Sequence, residues 1–377
     1  MHRATSLLAL ALLAPAAVPA QTGGFVVRLG QDTLAVERYT RTPELLQGEQ
    51  VLRSPATVHR IYRAVIAPDG TVKSFELITH NIGGGTGPAE QRGSIDFRGD
   101  SAIVQVPRRD SMVTVRMATS AGALPYAGQT YALVELMAQR ARAAGADSVV
   151  LQGVQIGPQQ PTAITLRRRG RDSTTIQLGP IGPLAYRLDD GGRLAWVSGR
   201  GSTMQVDVER VGTIDIAALG PTFANRPLGT LSPSDSVKGT VAGAALAVRY
   251  ARPSMRGRTI FGGVVPWNQV WRTGANAATI LETSADLVMA GTPVPAGKYS
   301  LWTIPAPTGW TLIVNKNTGQ WGTNYDVQYD LARLPMKVDR LAQPIEQFTI
   351  GIEPEGAGGV LKLEWETTRA SVAIARR

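Results

Sequence analysis

Arg252, Ser254, Arg256 and Arg258 stand at alternate positions, and an extended chain turns alternate side chains to one face. That spacing predicts a row of forked guanidinium donors with a hydroxyl among them, suited to a carboxylate, sulfate or phosphate. Trp271, Arg272 and Asn276 follow within a short stretch and extend such a surface with an indole for stacking and an amide for hydrogen bonding. Pro253 and Gly257 interrupt the row, so a charged edge strand protected from aggregation accounts for the same residues. A pairing of Arg272 with Glu282 inside the core is a further reading of that arginine.

Other chemistries are narrowed by what the chain lacks. It has three histidines, His2, His59 and His80, so its C-terminal half holds neither a Ser-His-Asp triad nor a histidine-rich zinc site. His59 and His80 read as surface or packing residues on neighbouring strands. With no cysteine there is no disulfide and no thiolate nucleophile. Carboxylate chemistry survives, because glycoside cleavage needs only two acids at a set separation. Glu364 and Glu366 would share a strand face opposite Trp365, and Asp326 and Asp330 stand near Trp321, Tyr325 and Tyr329. A solvated strand face and a polar loop explain those acids equally. No calcium-loop pattern surrounds Asp326, and neither a metal nor a cofactor is expected.

Three further motifs read as local structure. The run Gly83 to Gly87 lacks the Lys-Ser or Lys-Thr of a phosphate loop and reads as a flexible loop. Arg98-Gly99-Asp100 reads as a turn. Arg167 to Arg171 crowds four arginines at a hairpin tip without interleaved aromatics, which argues for a solvated turn and against specific nucleic-acid binding.

The elements that must position these residues are strands. From Phe25 to Val211 short alternating runs are separated by turn residues, the pattern of an antiparallel β-rich domain. Hairpins are expected at 58–66 with 71–78 around Pro68-Asp69-Gly70, at 163–168 with 173–178, and at 184–188 with 193–197; Met112 to Met117 alternates as a further strand. Thr130 to Ala144, rich in Ala, Leu, Met, Gln and Arg and stopped by Gly145, is the one expected helix, packed across the sheet or joining two halves of it. Pro227, Gly229 and Pro233 mark a boundary near residue 230. Beyond it, strands are expected at 245–250, 277–283, 299–304, 310–314, 348–352, 360–366 and 371–374, at sandwich-like spacing. Six of the seven tryptophans lie at or beyond Trp267, which gives this part a core of its own. The expected fold is all-β in two domains: residues 21–229 with one helix, and residues 230–377 as a β-sandwich or jelly-roll-like fold.

Several blocks of the second part occur together and in order: Tyr250-Ala251-Arg252-Pro253-Ser254, Gly257-Arg258, Phe261-Gly262-Gly263, Trp271 to Asn276, Pro295 to Ser300, Trp321-Gly322 and Leu363 to Glu366. In these, about residues 232 to 375 resemble the bacterial family of the domain of unknown function 2911. The resemblance implies a secreted or envelope protein and implies no activity.

Residues 1–20 read as a secretory signal: a basic start, an apolar run from Leu7 to Leu13, and Val18-Pro19-Ala20 before the expected cleavage. No later run approaches the roughly 20 apolar residues of a membrane span, so the expected location is periplasmic or extracellular. The formal net charge of +10 favours acidic partners without choosing among them. The expectation is a non-catalytic exported binding protein for an anionic or glycan envelope ligand, held by Arg252, Ser254, Arg256, Arg258, Trp271, Arg272 and Asn276. The alternatives are a carboxylate-dependent polysaccharide hydrolase and a purely structural envelope protein. Oligomeric state is not legible in the chain.

Overall fold

The computed structural model describes residues 20–84, 88–108, 111–168, 174–200 and 202–376. Residues 1–19 of the expected leader, residues 85–87 of the glycine run and Arg169 to Arg171 of the basic cluster lie outside the described residues.

The alternating runs of the first part join into one sheet. Its first arm comprises β1 (Gln21–Leu29), β2 (Asp32–Arg41), β3 (Leu45–Leu52), β4 (Val58–Ile66), β5 (Val72–Asn81), β6 (Glu90–Arg98), β7 (Ser101–Pro107) and β8 (Met112–Ala118). Its second arm comprises β9 (Leu124–Pro125), β10 (Ser148–Val154), β11 (Thr162–Arg168), β12 (Thr174–Leu178), β13 (Pro183–Leu188), β14 (Leu194–Ser198) and β15 (Asp207–Val211). Because β15 pairs with β1 as well as with β14, β1 lies at the middle of a fifteen-stranded sheet and both arms run outward from it. The expected hairpins are present, with Asp69 accepting the Thr71 amide (2.9 Å) in the β4–β5 turn and Gly99 at φ 61° turning β6 into β7.

α1 (Tyr131–Ala144) lies between β9 and β10 in the chain and packs on the sheet, where Leu133, Leu136 and Met137 share a core with Phe25, Tyr62 and Ile164. Gly145 ends it in the left-handed conformation at φ 69°, donating its N–H to the Arg142 carbonyl. Its start has no local cap, since the Thr130 side chain makes no capping bond. Glu37 of β2 supplies one from another element, accepting the Tyr131 amide (2.6 Å), the Ala132 amide (3.2 Å) and the Tyr62 hydroxyl (2.6 Å). One turn along, Glu135 accepts the Tyr39 hydroxyl (2.6 Å), the Leu194 amide and the Arg210 guanidinium, which also lies 4.8 Å from the centre of the Phe25 ring. Glu37 and Glu135 are 0% and 1% exposed. Burial pushes the Glu37 carboxyl up to about 7, against the opposing pull of its three donors.

A second helix, α2 (Ile216–Ala224), corrects the expectation of one. Gly220 and Pro221 disfavour helix, and that composition conceals it in the sequence. Tertiary packing overrides the propensity: Asp215 caps it by accepting the Ala218 amide (3.0 Å), and Ile216, Leu219 and Phe223 cover Val36 and Val51 on the sheet.

The remaining strands form a nine-stranded sheet with its own core. They are β16 (Ser234–Val241), β17 (Ala244–Ala251), β18 (Thr279–Thr283), β19 (Leu287–Met289), β20 (Thr292–Val294), β21 (Gly297–Ile304), β22 (Trp310–Asn315), β23 (Asp330–Glu355) and β24 (Gly358–Arg376). The runs expected at 348–352, 360–366 and 371–374 are parts of one long β23–β24 hairpin. Shifts of register between Arg340, Ile345 and Thr349 bend it, so that its two ends serve different parts of the sheet. β23 first pairs with β22 and then with β24, while β16 and β20 approach β23 from elsewhere in the strand order. Among the described residues the architecture is therefore all-β, two sheets with two α-helices.

Between the sheets, residues 212–233 are held against the β3–β4 connection. The Leu228 amide donates to the Arg53 carbonyl (2.7 Å), the Arg53 guanidinium donates to the Arg226 carbonyl, and the Ser54 hydroxyl donates to the Gly229 carbonyl (2.9 Å).

Candidate functional site

The two sheets meet at the β1–β2 turn and the irregular segment after β17. There the Gln31 amide donates to the Arg256 carbonyl (3.0 Å) and the Arg256 guanidinium holds Asp32 (2.6 Å). A Cβ on Gly30 would collide with the Arg256 carbonyl oxygen, and one on Gly257 would collide with the Gln31 side chain. The approach is thus close enough to require glycine at both positions, which also have φ 62° and 70°.

Beside this junction lies a cavity of about 520 Å³, lined from both parts of the chain. Ser254, Arg256, Arg258, Trp271, Arg272 and Asn276, six of the seven expected site residues, line it. Arg252 does not. Its guanidinium donates to Asp235 (3.1 Å), the Phe348 carbonyl (3.1 Å) and the Thr349 hydroxyl (2.8 Å), pinning β17 to its neighbours.

The expected row of free guanidinium forks is not formed. Arg256 at φ 50° and Gly257 at φ 70° break the extended alternation, and each arginine turns a different way. Arg256 binds Asp32 and the Leu228 carbonyl (3.3 Å), its side chain only 12% exposed. Arg258 folds back on its own loop, donating to the carbonyls of Met255 (2.9 Å) and Ser254 (2.6 Å). Burial lowers its pKa, and Arg256 beside it acts in the same direction. Asn276, at φ 60° and exposed, receives the Gly322 amide on its carbonyl (2.9 Å).

Arg272 differs from the others. Glu282, its expected core partner, lies on the exposed face of β18 and pairs with Arg249 and Lys298 (3.5 Å). Among the described residues the Arg272 guanidinium has no hydrogen bond and no ion pair, and its Nε is sealed from solvent without a partner. Burial lowers its pKa to about 10, still well above neutrality, so it remains cationic. The indole N–H of Trp321, also on the cavity wall, is likewise buried and unpaired. Gly322 makes room for this arrangement, because a Cβ there would overlap the Arg272 stem. Sequence reasoning named Arg272 but missed the donor role of Trp321 and the junction formed by Asp32, whose partners are distant in the chain.

Trp271 is not a free stacking platform. It is 7% exposed, lies nearly parallel to Trp365 with ring centres 5.9 Å apart, and meets Phe348 edge-on at 5.1 Å. With Phe261 and Trp310 these rings form the aromatic heart of the second core.

None of the acids considered for hydrolysis lines this cavity. Glu364 pairs with Arg369; Glu366, at φ 55°, sits where the β23–β24 register slips. Asp330 accepts Asn315 Nδ2 (2.9 Å), the Tyr325 hydroxyl (2.7 Å) and Arg333 Nε (2.9 Å), and Asp326 accepts the Gln328 amide (3.0 Å). His59 and His80 face each other across β4 and β5 with ring centres 6.1 Å apart, partnered by Glu49 (2.9 Å) and Glu90 (3.5 Å). Among the described residues no three His, Asp or Glu side chains are grouped to hold a metal, and no helix is long and apolar enough to cross a membrane.

With this geometry in place, comparison with known proteins adds the following. Residues 232–374 match the family described as "Protein of unknown function (DUF2911)", and the part before them matches no family. The matched segment takes in the second sheet from β16 through all but the last two residues of β24. No curated protein matches the chain. Among solved structures it is similar to the beta-barrel-like protein of domain of unknown function DUF1849 from Brucella abortus, at 12% identity and a TM-score of 0.35, over 52% of this chain and 97% of that one.

Proposed function

We propose that this protein is a non-catalytic binding protein of the bacterial envelope, exported by its N-terminal leader, that holds an anionic ligand in the cavity between its two β domains. The observation that carries this reading is Arg272, a largely buried cation with no counter-charge among the described residues, on the wall of an accessible cavity. An unpaired buried charge is costly unless something completes it. Among the described residues three arginines and no carboxylate line the cavity, and of the three only Arg256 has an acid partner. The volume falls in the range of small-molecule sites, about 300 to 1,000 Å³. Burial of Trp271 within the aromatic core removes one ring that a glycan would stack on, which favours the anionic half of the expectation. The hydrolase alternative draws no support from the cavity, whose wall offers no acid pair.

The test is calorimetric titration of the full mature chain with inorganic phosphate, sulfate, sugar phosphates and carboxylates, in wild type and in Arg272→Gln. Saturable binding that falls at least tenfold in the variant supports the reading. Absence of binding to every anion, or equal binding by Arg272→Gln, overturns it.

A further inference from the structure

The cavity wall is polarised between the two domains. The first domain contributes Leu29, Leu34, Pro55, Ile181, Met204 and Val206 together with a few uncharged polar residues, and no charged side chain. The second contributes every charged side chain, Arg256, Arg258 and Arg272, and the buried donor of Trp321, set among apolar residues such as Val264, Val265 and Trp365. A small hydrophilic anion would satisfy the donors and leave the apolar surface, the whole uncharged wall of the first domain included, facing water.

We infer that the ligand is an amphiphile, a hydrocarbon body ending in one acceptor-only group, carboxylate or phosphate monoester, with its head on Arg272 and Trp321 and its chain on the apolar wall of the first domain. This rests on reading the cavity as an anion site. The head group matches the donors: the guanidinium fork and the indole N–H both donate and neither accepts, so a carboxylate or phosphate oxygen completes them where a hydroxyl or amide N–H does not. The chain follows from the opposite wall, where each buried methylene is removed from water. Recognition is therefore divided between domains that meet at Arg256 and Asp32, and a ligand of this kind bridges them.

The experiment follows tryptophan fluorescence and calorimetry of the full mature chain titrated, below micelle-forming concentrations, with hexanoate, octanoate, decanoate and decyl phosphate beside inorganic phosphate and glucose 6-phosphate. Affinity is expected to rise about fourfold per methylene until the cavity is full. Met204→Gln and Ile181→Thr, both at half-buried positions, should weaken decanoate at least fivefold and leave phosphate binding unchanged, with cooperative thermal unfolding showing that the variants are folded. Arg272→Gln should weaken both classes. Affinity independent of chain length, or Met204→Gln and Ile181→Thr variants that bind decanoate like wild type, overturns the inference. If phosphate or glucose 6-phosphate binds through Arg272 and the alkyl ligands do not, the amphiphile fails while the anion site stands; if no anion binds, both fall. The relative affinities of decanoate and decyl phosphate identify the head group.

Discussion

Two places where the molecule buries charge treat it in opposite ways. Beneath α1, Glu37 accepts three hydrogen bonds, while Glu135 is closed by a hydroxyl, an amide and the Arg210 guanidinium. In the cavity between the two sheets, Arg272 has no partner among the described residues. The first arrangement is complete without a ligand and fastens a helix to a sheet. The second is incomplete among the described residues, and the proposed anion site rests on that deficit. Burial of charge does not by itself mark a site; what the buried group lacks is what a ligand could supply.

Mutations should separate the two regions by sign as well as size. Glu135→Ala strands Arg210 in the first core and should lower stability by about 3 to 5 kcal/mol in urea unfolding. A loss under about 1 kcal/mol would mean that the network does not anchor α1.

Glu37 makes the same region sensitive to pH. Its folded pKa of about 7 exceeds the ordinary 4.5, so between these values the folded state keeps a proton that the unfolded chain releases. The stabilisation is therefore fully present below about pH 4.5 and is lost as pH rises through about 7, a change of about 3 kcal/mol at most. Urea midpoints for wild type and Glu37→Gln across that window should diverge in this direction; parallel curves would show that Glu37 titrates normally.

Arg272→Met keeps the stem against Gly322 and removes the lone charge. Stability should rise by about 2 kcal/mol, opposite in sign to Glu135→Ala, while anion binding disappears. A loss of stability would place Arg272 with the structural arginines and erase the contrast.

The smallest effect concerns the junction. Asp32→Asn weakens the tie to Arg256 and should cost about 1 kcal/mol in global unfolding, since Asp32 is partly exposed. Its clearer readout is faster proteolysis within residues 212–233, with the two β domains still folded; unchanged cleavage would show that the tie does not restrain the domains.

Legibility followed distance along the chain. The hairpin turns at Asp69-Gly70 and Gly99, and α1 with its Gly145 stop, depend on neighbouring residues and could be read directly. α2 could not, because Gly220 and Pro221 argue against a helix that packing on Val36 and Val51 sustains. The long β23–β24 hairpin read as shorter strands because its register shifts interrupt the alternation that a sequence displays. At the site, residue types pointed to Arg256, Arg258 and Arg272, but the inferred common face failed at one positive-φ pair.

By itself the sequence determined an all-β chain and the absence of thiol chemistry, because composition, alternation and local turns carry that information, and its ordered C-terminal blocks carried the resemblance to the DUF2911 family. Only the tertiary structure decided which arginines are spent. Arg252 and Arg256 are paired with Asp235 and Asp32, Arg258 is turned onto backbone carbonyls, and Arg272 is left without a partner among the described residues. Asp32 and Arg256 are 224 positions apart. A charge's fate depends on what the folded chain brings within about 4 Å of it, a relation that no local pattern encodes.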